Sequence, residues 1–229
     1  MDQRTLVILI PICICAYLIG SIPFSQIITR WRAGLDLRAV GEGNVGSRNV
    51  WHVVGPQWGL LAAALDGVKG FLVCWAASAL TAASPLAVAL AGVAVILGHQ
   101  FSLVLRGRGG KGLITAFGVL LFLAPLSTLA GLLVLGIAFL ILRDFNRCIA
   151  IAIVAFIFLP ILLRQPLWIA AYTLGLALLA ALKKRLDYSH DMRVWASSPW
   201  QGTASPGFGN VARPAGDDSY DSAPDVRPR

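Results

Sequence analysis

Charge is scarce in this chain. Of its 229 residues only 13% are Asp, Glu, Lys or Arg, against about 25% in an ordinary soluble domain, and the shortfall excludes a globule surrounded by water on every side. Acidic residues are the scarcer sign, 11 against 19 basic ones. The four cysteines, Cys13, Cys15, Cys74 and Cys148, lie in or beside apolar stretches with no C-x-x-C spacing, which argues against a metal site and for small buried apolar side chains. There is no Ser-His-Asp order, no metal-ligand cluster, no carboxylate pair and no convincing internal repeat. No Ala-x-Ala-like site follows the apolar run Leu6 to Ile19, so that run reads as a retained first span and not a cleaved signal.

What is abundant is apolar surface: 57% of residues are hydrophobic and the mean hydropathy is +0.75. A helix needs roughly 20 apolar residues to cross the hydrocarbon core. Candidate spans are 5–29, 57–82, 86–105, about 112–124, 126–142, 148–163 and 167–182. The fourth is short before Pro125, which predicts a tilted, broken or re-entrant segment. Basic residues alternate between connections. Arg30, Arg32, Arg38 and Arg48 follow span 1; Arg106, Arg108 and Lys111 follow span 3; Arg143 and Arg147 follow span 5; Lys183, Lys184 and Arg185 follow span 7. The other segments carry only Arg4 and Arg164. Cytoplasmic connections are enriched in Lys and Arg, so the alternation predicts seven crossings with the N-terminus outside and the C-terminus in the cytoplasm. The expected fold is an all-α integral membrane protein, with a transmembrane domain over 1–187. Residues 188–229, rich in Ser, Pro, Gly and Asp, are expected to form a disordered cytoplasmic tail whose Trp195, Trp200 and Phe208 touch the membrane surface.

Two basic connections carry more than topology requires. Gly41-Glu42-Gly43-Asn44-Val45-Gly46-Ser47-Arg48-Asn49 sets three glycines among amide and cationic side chains, a composition suited to a phosphate. It lacks P-loop or dinucleotide spacing, and a flexible solvent loop is the alternative. Arg106-Gly107-Arg108-Gly109-Gly110-Lys111-Gly112 runs directly into an apolar segment. A helix starting there would aim its free N–H groups and positive dipole end at the same place as three cations; a plain topology marker is the alternative. Asp66 and Lys69 sit deep in span 2 at i, i+3, where they can pair, and ionisable groups at that depth mark a site facing the bundle interior. His99, at the cytoplasmic end of span 3, is a candidate base or donor. His52 and His190 have no supporting context. Chemistry at such a site rests on positioning and charge stabilisation, without a dedicated nucleophile.

Gly20-Ser21-Ile22-Pro23-Phe24, Asp36-Leu37-Arg38, the pattern of 41–49, Asp66-x-x-Lys69-Gly70, Gly98-His99-x-Phe101 and Gly109-Gly110-Lys111-Gly112 occur in this order over about residues 17–125. Together they resemble the bacterial acyl-phosphate:glycerol-3-phosphate acyltransferases, the PlsY family. The resemblance implies a seven-helix enzyme of the bacterial inner membrane, working at its cytoplasmic face without metal, cofactor or acyl-CoA. Its implied partners are acyl phosphate, glycerol 3-phosphate and membrane lipids, and no nucleic acid. By the same resemblance His99, Lys111, Asn44 and Ser47 are the catalytic candidates. Arg38, Gly43, Gly46, Arg48, Asn49, Lys69, Arg106, Gly109, Gly110 and Gly112 are the phosphate-binding candidates, with Ser21 and Asp66 in support. The chain departs from the family pattern at Glu42 for Ser, at Ser47-Arg48 for Ala-Thr, at Ser102 for Pro, and at Lys183-Lys184-Arg185-Leu186-Asp187 where His-Arg-x-Asn-Ile is usual. A transporter or sensor of an organic phosphate is the rival reading. It predicts two related halves with matching broken helices, and none is found.

Overall fold

The computed structural model describes residues 3–197, and among them every regular element is helical. α1 (Gln3–Gly20) and α2 (Phe24–Ala33) form one long apolar path. The path breaks at Ser21-Ile22-Pro23, because Pro23 has no N–H to continue the ladder. α3 (Ser47–Val53) is a short helix inside the first basic connection. It is followed by α4 (Pro56–Leu80), α5 (Pro85–Gln100), α6 (Leu113–Leu123), α7 (Pro125–Leu142), α8 (Phe145–Leu162) and α9 (Leu167–Ala196). Proline opens α4, α5 and α7, where its missing N–H is not needed and its φ suits the first turn.

Among the described residues five helical stretches are long and apolar enough to cross a membrane, and α5 and α6 are shorter. With 11 residues, α6 rises only about 16 Å, well short of a core about 30 Å thick. The fourth expected span is therefore a partial helix, joined to α7 through Ala124 alone. The helices pack closely where glycine meets backbone. A Cβ on Gly118 would strike the carbonyl of Gly67, and one on Gly98 would strike that of Tyr17, so α6 lies tight on α4 and α5 tight on α1. The core, with Val73, Cys74, Val88, Ala91, Val95, Ile96 and Val119, sits between α4, α5 and α6.

One boundary moves. Residues 188–196, expected as the start of a tail, belong to α9, which has 30 residues and continues to Ala196. Helical pairing and docking hold 188–196, which composition alone had assigned to disorder. The expected tail beyond Ser197, with Trp200 and Phe208, lies outside the described residues.

Candidate active site

The break in the first path creates the first part of the site. The last carbonyls of a helix have no partner within it, and the Lys69 ammonium donates to one of those, Gly20 O, and to Ile22 O in the break itself, each at 3.1 Å. It also meets Asp66 Oδ1 at 2.7 Å and His99 Nδ1 at 3.0 Å. Ser25 Oγ donates to Asp66 Oδ2 at 3.4 Å. An ammonium has no lone pair to offer, so a hydrogen bond between the two makes Nδ1 the acceptor, the tautomer that leaves the ring N–H on Nε2. Nε2 faces Gly110, where a Cβ would collide with it. Ser21 ties this corner to the turn after α5: Ser102 Oγ donates to Ser21 O at 2.6 Å and the Leu103 amide to Ser21 Oγ at 3.4 Å. A small cavity opens here, lined by Ser25, Val45, Asp66, His99, Gly109 and Gly110.

The first basic connection is a closed structure. Asn49, fully buried, donates through Nδ2 to the carbonyls of Leu37, Val40 and Asn44 at 3.0–3.1 Å, and its Oδ1 accepts from the Glu42 amide at 2.9 Å. Its amide is thus spent on shaping the loop. Arg38 is held by Asp36, with Nε–Oδ1 at 2.9 Å, and reaches Leu105 O at 3.4 Å. That guanidinium hydrogen bond keeps the Asp36 carboxyl below the usual carboxylate range. Arg48 sets Nε 3.0 Å from Glu42 Oε1 and lies 4.3 Å above the Phe145 ring. His52, without context in the sequence, stands 3.8 Å from the same oxygen, and burial pushes its pKa down while Glu42 opposes. Asn44 is buried with Oδ1 unpartnered, and its Nδ2 packs against Gly46. Ser47 opens α3.

The second basic connection folds back on α5. The Gly109 amide donates to Gln100 O and the Gly110 amide to His99 O, both at 3.1 Å. Two donors expected to cradle a phosphate are therefore engaged in closing the end of α5, and their glycines are required because a Cβ at either would enter His99. Arg106 and Arg108 are exposed on the turn. α6 does start where expected, directly after Gly112, which takes the left-handed conformation at φ 80°. Lys111 is fixed at both ends: its carbonyl accepts from Gln100 Nε2 at 3.0 Å, and its ammonium lies 3.0 Å from Asp191 Oδ2.

Asp191 belongs to the part of the site that the sequence reading missed. One face of α9 carries Lys183, Asp187, His190, Asp191 and Val194, a helical spacing that was the available signal. Lys183 pairs with Asp187 at 2.7 Å and sits 5.1 Å above the Phe101 ring. His190 Nε2 donates to Arg38 O at 3.0 Å, and Val194 packs on Gly43, whose φ of 67° suits glycine. Lys184 lies within electrostatic reach of both Lys111 and Arg48. Each candidate cation among Arg38, Arg48, Lys69 and Lys111 is thus paired with a carboxylate, from Asp36, Glu42, Asp66 and Asp191 respectively. No group of three or more metal-ligating side chains occurs among the described residues.

A sequence profile described as glycerol-3-phosphate acyltransferase matches residues 10–193. The chain belongs to that family. Among relatives, the glycerol-3-phosphate acyltransferase of Myxococcus xanthus is 42% identical over 127 residues, covering 56% of this chain and 66% of that protein. That of Roseiflexus sp. is 48% identical over 135 residues, covering 58% and 65%. The aligned region thus spans just under two thirds of these relatives' lengths. The crystal structure of PlsY, an integral membrane glycerol 3-phosphate acyltransferase, in its glycerol 3-phosphate form superposes with a TM-score of 0.71 at 29% identity, covering 82% of this chain and 93% of that one. Its lysophosphatidic acid form gives 0.68 at 28%, covering 89% and 96%.

Within the acyltransferase family, two of this chain's departures explain each other. Glu42 and Arg48 replace a serine and a threonine of the family pattern and meet as an ion pair, so the negative charge placed beside a proposed anion site is locally neutralised. Ser102, in place of the usual proline, uses its hydroxyl to join the turn to Ser21.

Proposed function

We propose that this protein transfers a fatty acyl group from acyl phosphate to the 1-hydroxyl of glycerol 3-phosphate, giving lysophosphatidic acid and inorganic phosphate. The observation that carries this reading is convergence. Both glycine-rich connections, the break between α1 and α2 and the polar face of α9 meet around His99 and Lys111 at one end of the bundle. The proposed topology has seven crossings, with this end and the C-terminus cytoplasmic, so that a phosphate enters from water and an acyl chain from the bilayer.

Acyl phosphate is a reactive mixed anhydride. The acceptor hydroxyl forms a bond to the acyl carbon, the carbon–oxygen bond to phosphate breaks, and the hydroxyl proton passes to the departing phosphate. The protein then has to hold two anions with hydroxyl against carbonyl and to stabilise charge that develops on the leaving group. With the amides of Gly109 and Gly110 engaged elsewhere, the phosphate contacts fall to the ammonium of Lys111 and to Arg48, with Arg38, Arg106, Gly43, Gly46 and Gly112 shaping the rim. Asn44, whose side-chain Oδ1 has no partner, and Ser47 offer polar contacts to substrate. His99 acts as an Nε2–H donor toward the cavity, with Lys69 on its other nitrogen. Asn49 and Ser21 shape the walls.

The test uses purified protein with palmitoyl phosphate and labelled glycerol 3-phosphate. Lysophosphatidic acid is expected, and Lys111→Ala is expected to lower turnover at least about 100-fold while leaving the protein folded, the scale for losing one well-placed stabilising donor. Product no greater than that of the Lys111→Ala control would sink the assignment.

A further inference from the structure

Lys111 carries its charge on a flexible four-carbon stem, in a loop whose neighbours Gly109, Gly110 and Gly112 offer no side chain to lean on. A like charge, Lys184, lies within electrostatic reach of it. An ammonium in that setting would be pushed away from Lys184 unless a counter-charge held it. The counter-charge is the Asp191 carboxylate at 3.0 Å, itself 7% exposed and anchored on both sides along α9. Lys183 over Phe101 and His190 on Arg38 O precede it, and Val194 against Gly43 follows it. The carboxylate is therefore mounted on a rigid element, while the ammonium it meets is not.

We propose that Asp191 is a positioning residue that holds the Lys111 ammonium where the leaving phosphate will develop charge. The proposal rests on the acyl-transfer reading above and adds the α9 end to the working parts of the site. Asp191 touches no substrate. It acts by removing the search that Lys111 would otherwise make, which matters most where charge grows in the transition state. Its loss is therefore expected in kcat and not in KM.

The experiment measures steady-state turnover of palmitoyl phosphate and glycerol 3-phosphate by the full chain and by Asp191→Ala, Asp191→Asn, Asp191→Glu, Lys111→Ala and the Asp191→Ala, Lys111→Ala double variant. For Asp191→Ala we expect kcat lower by at least about tenfold with KM for palmitoyl phosphate changed by less than about threefold, the signature of an interaction made in the transition state. Asp191→Glu should recover part of the loss. In the Lys111→Ala background Asp191→Ala should cost less than about twofold more, since residues acting through one another are not additive. Parent-like or raised kcat in Asp191→Ala, or losses that multiply in the double variant, would overturn the proposal. A second readout does not depend on turnover or on folding of the Ala variant. In spectra of 13C-dimethylated lysines, assigned with Lys111→Arg, the Lys111 signal should be displaced from the free-lysine position in the parent and return to it in Asp191→Asn. A signal at the free position in both would overturn it as well. A parent that makes no lysophosphatidic acid would refute the acyl-transfer reading separately, and the lysine spectra would still decide whether Asp191 holds Lys111.

Discussion

Glu42 and Arg48 stand six positions apart in the sequence and meet through Nε and Oε1 at 3.0 Å, with the glutamate side chain only 5% exposed. Each is a departure from the family pattern, and each makes the other tolerable: a buried carboxylate without a partner is costly, and removing one member of such a pair leaves the other uncompensated. The two substitutions are thus coupled. Glu42→Ser alone and Arg48→Thr alone should each destabilise the protein by more than the double variant does, with a coupling of about 1–3 kcal/mol. Thermal unfolding in detergent of the parent, both singles and the double measures it, and additive losses would count against the pair.

Asn49 is expected to be the most sensitive residue of the first connection. Its amide joins the carbonyls of Leu37, Val40 and Asn44 to the amide of Glu42. Asn49→Ala leaves those groups unsatisfied, at a cost of about 1–3 kcal/mol for each one that water does not reach. Asn49→Asp is expected to fail too, because a carboxylate cannot donate to carbonyls. Limited proteolysis should show cleavage between residues 34 and 46 in both variants and protection in the parent.

The glycines of the second connection separate into those that need space and one that does not. A Cβ on Gly110 would enter His99 and the Val45 carbonyl, whereas one on Gly107 meets nothing within 4 Å. Gly110→Ala should therefore displace His99 and lower acyl transfer by at least about 100-fold, since small misplacements in a site cost that much. Gly107→Ala keeps its space but takes on a left-handed φ of 82°, a strain of about 1–2 kcal/mol that should appear in unfolding and not in turnover. Comparable turnover losses in the two variants would contradict the assignment.

His52 supplies a pH dependence. Its folded pKa lies below the ordinary value because burial disfavours the cation, with Glu42 opposing. The unfolded chain therefore binds the proton first as pH falls, and stability rises with pH wherever that holds. The folded protein should keep full stability above about pH 6.5, the unfolded histidine value, and lose some as pH falls from there through the lower folded pKa. His52→Gln should flatten that decline. The check is the pH profile of thermal unfolding from 5 to about 8, read as the difference between parent and His52→Gln so that other titrating groups cancel; an unchanged slope would show that His52 does not contribute.

Several features of the site were legible in the residues. The Asp66–Lys69 pair follows from i, i+3 spacing in an apolar helix, and the start of α6 after Gly112 follows from glycine meeting a hydrophobic run. Other features were not. The assignment of Gly109 and Gly110 to phosphate binding rested on the family resemblance and on a helix start beside three cations. In the fold the absence of a side chain lets the loop lie against His99, and the amides close α5. Composition assigned 188–196 to a tail because few of its residues are apolar, yet single contacts hold it: His190 to Arg38, Asp191 to Lys111 and Val194 against Gly43.

The amino-acid sequence by itself determined the all-α membrane class, the apolar stretches and the two basic glycine-rich connections, because hydropathy and glycine content are local properties that the bilayer and the backbone read directly. Two of the site's ion pairs, Arg38 with Asp36 and Lys69 with Asp66, lie within three residues and belong to that local record. Tertiary structure alone decided the partners of Arg48 and Lys111, six and eighty positions away. In a medium that penalises any unpaired charge, those two pairings are set by which chain segments the packing brings together, and no local pattern along the chain records that.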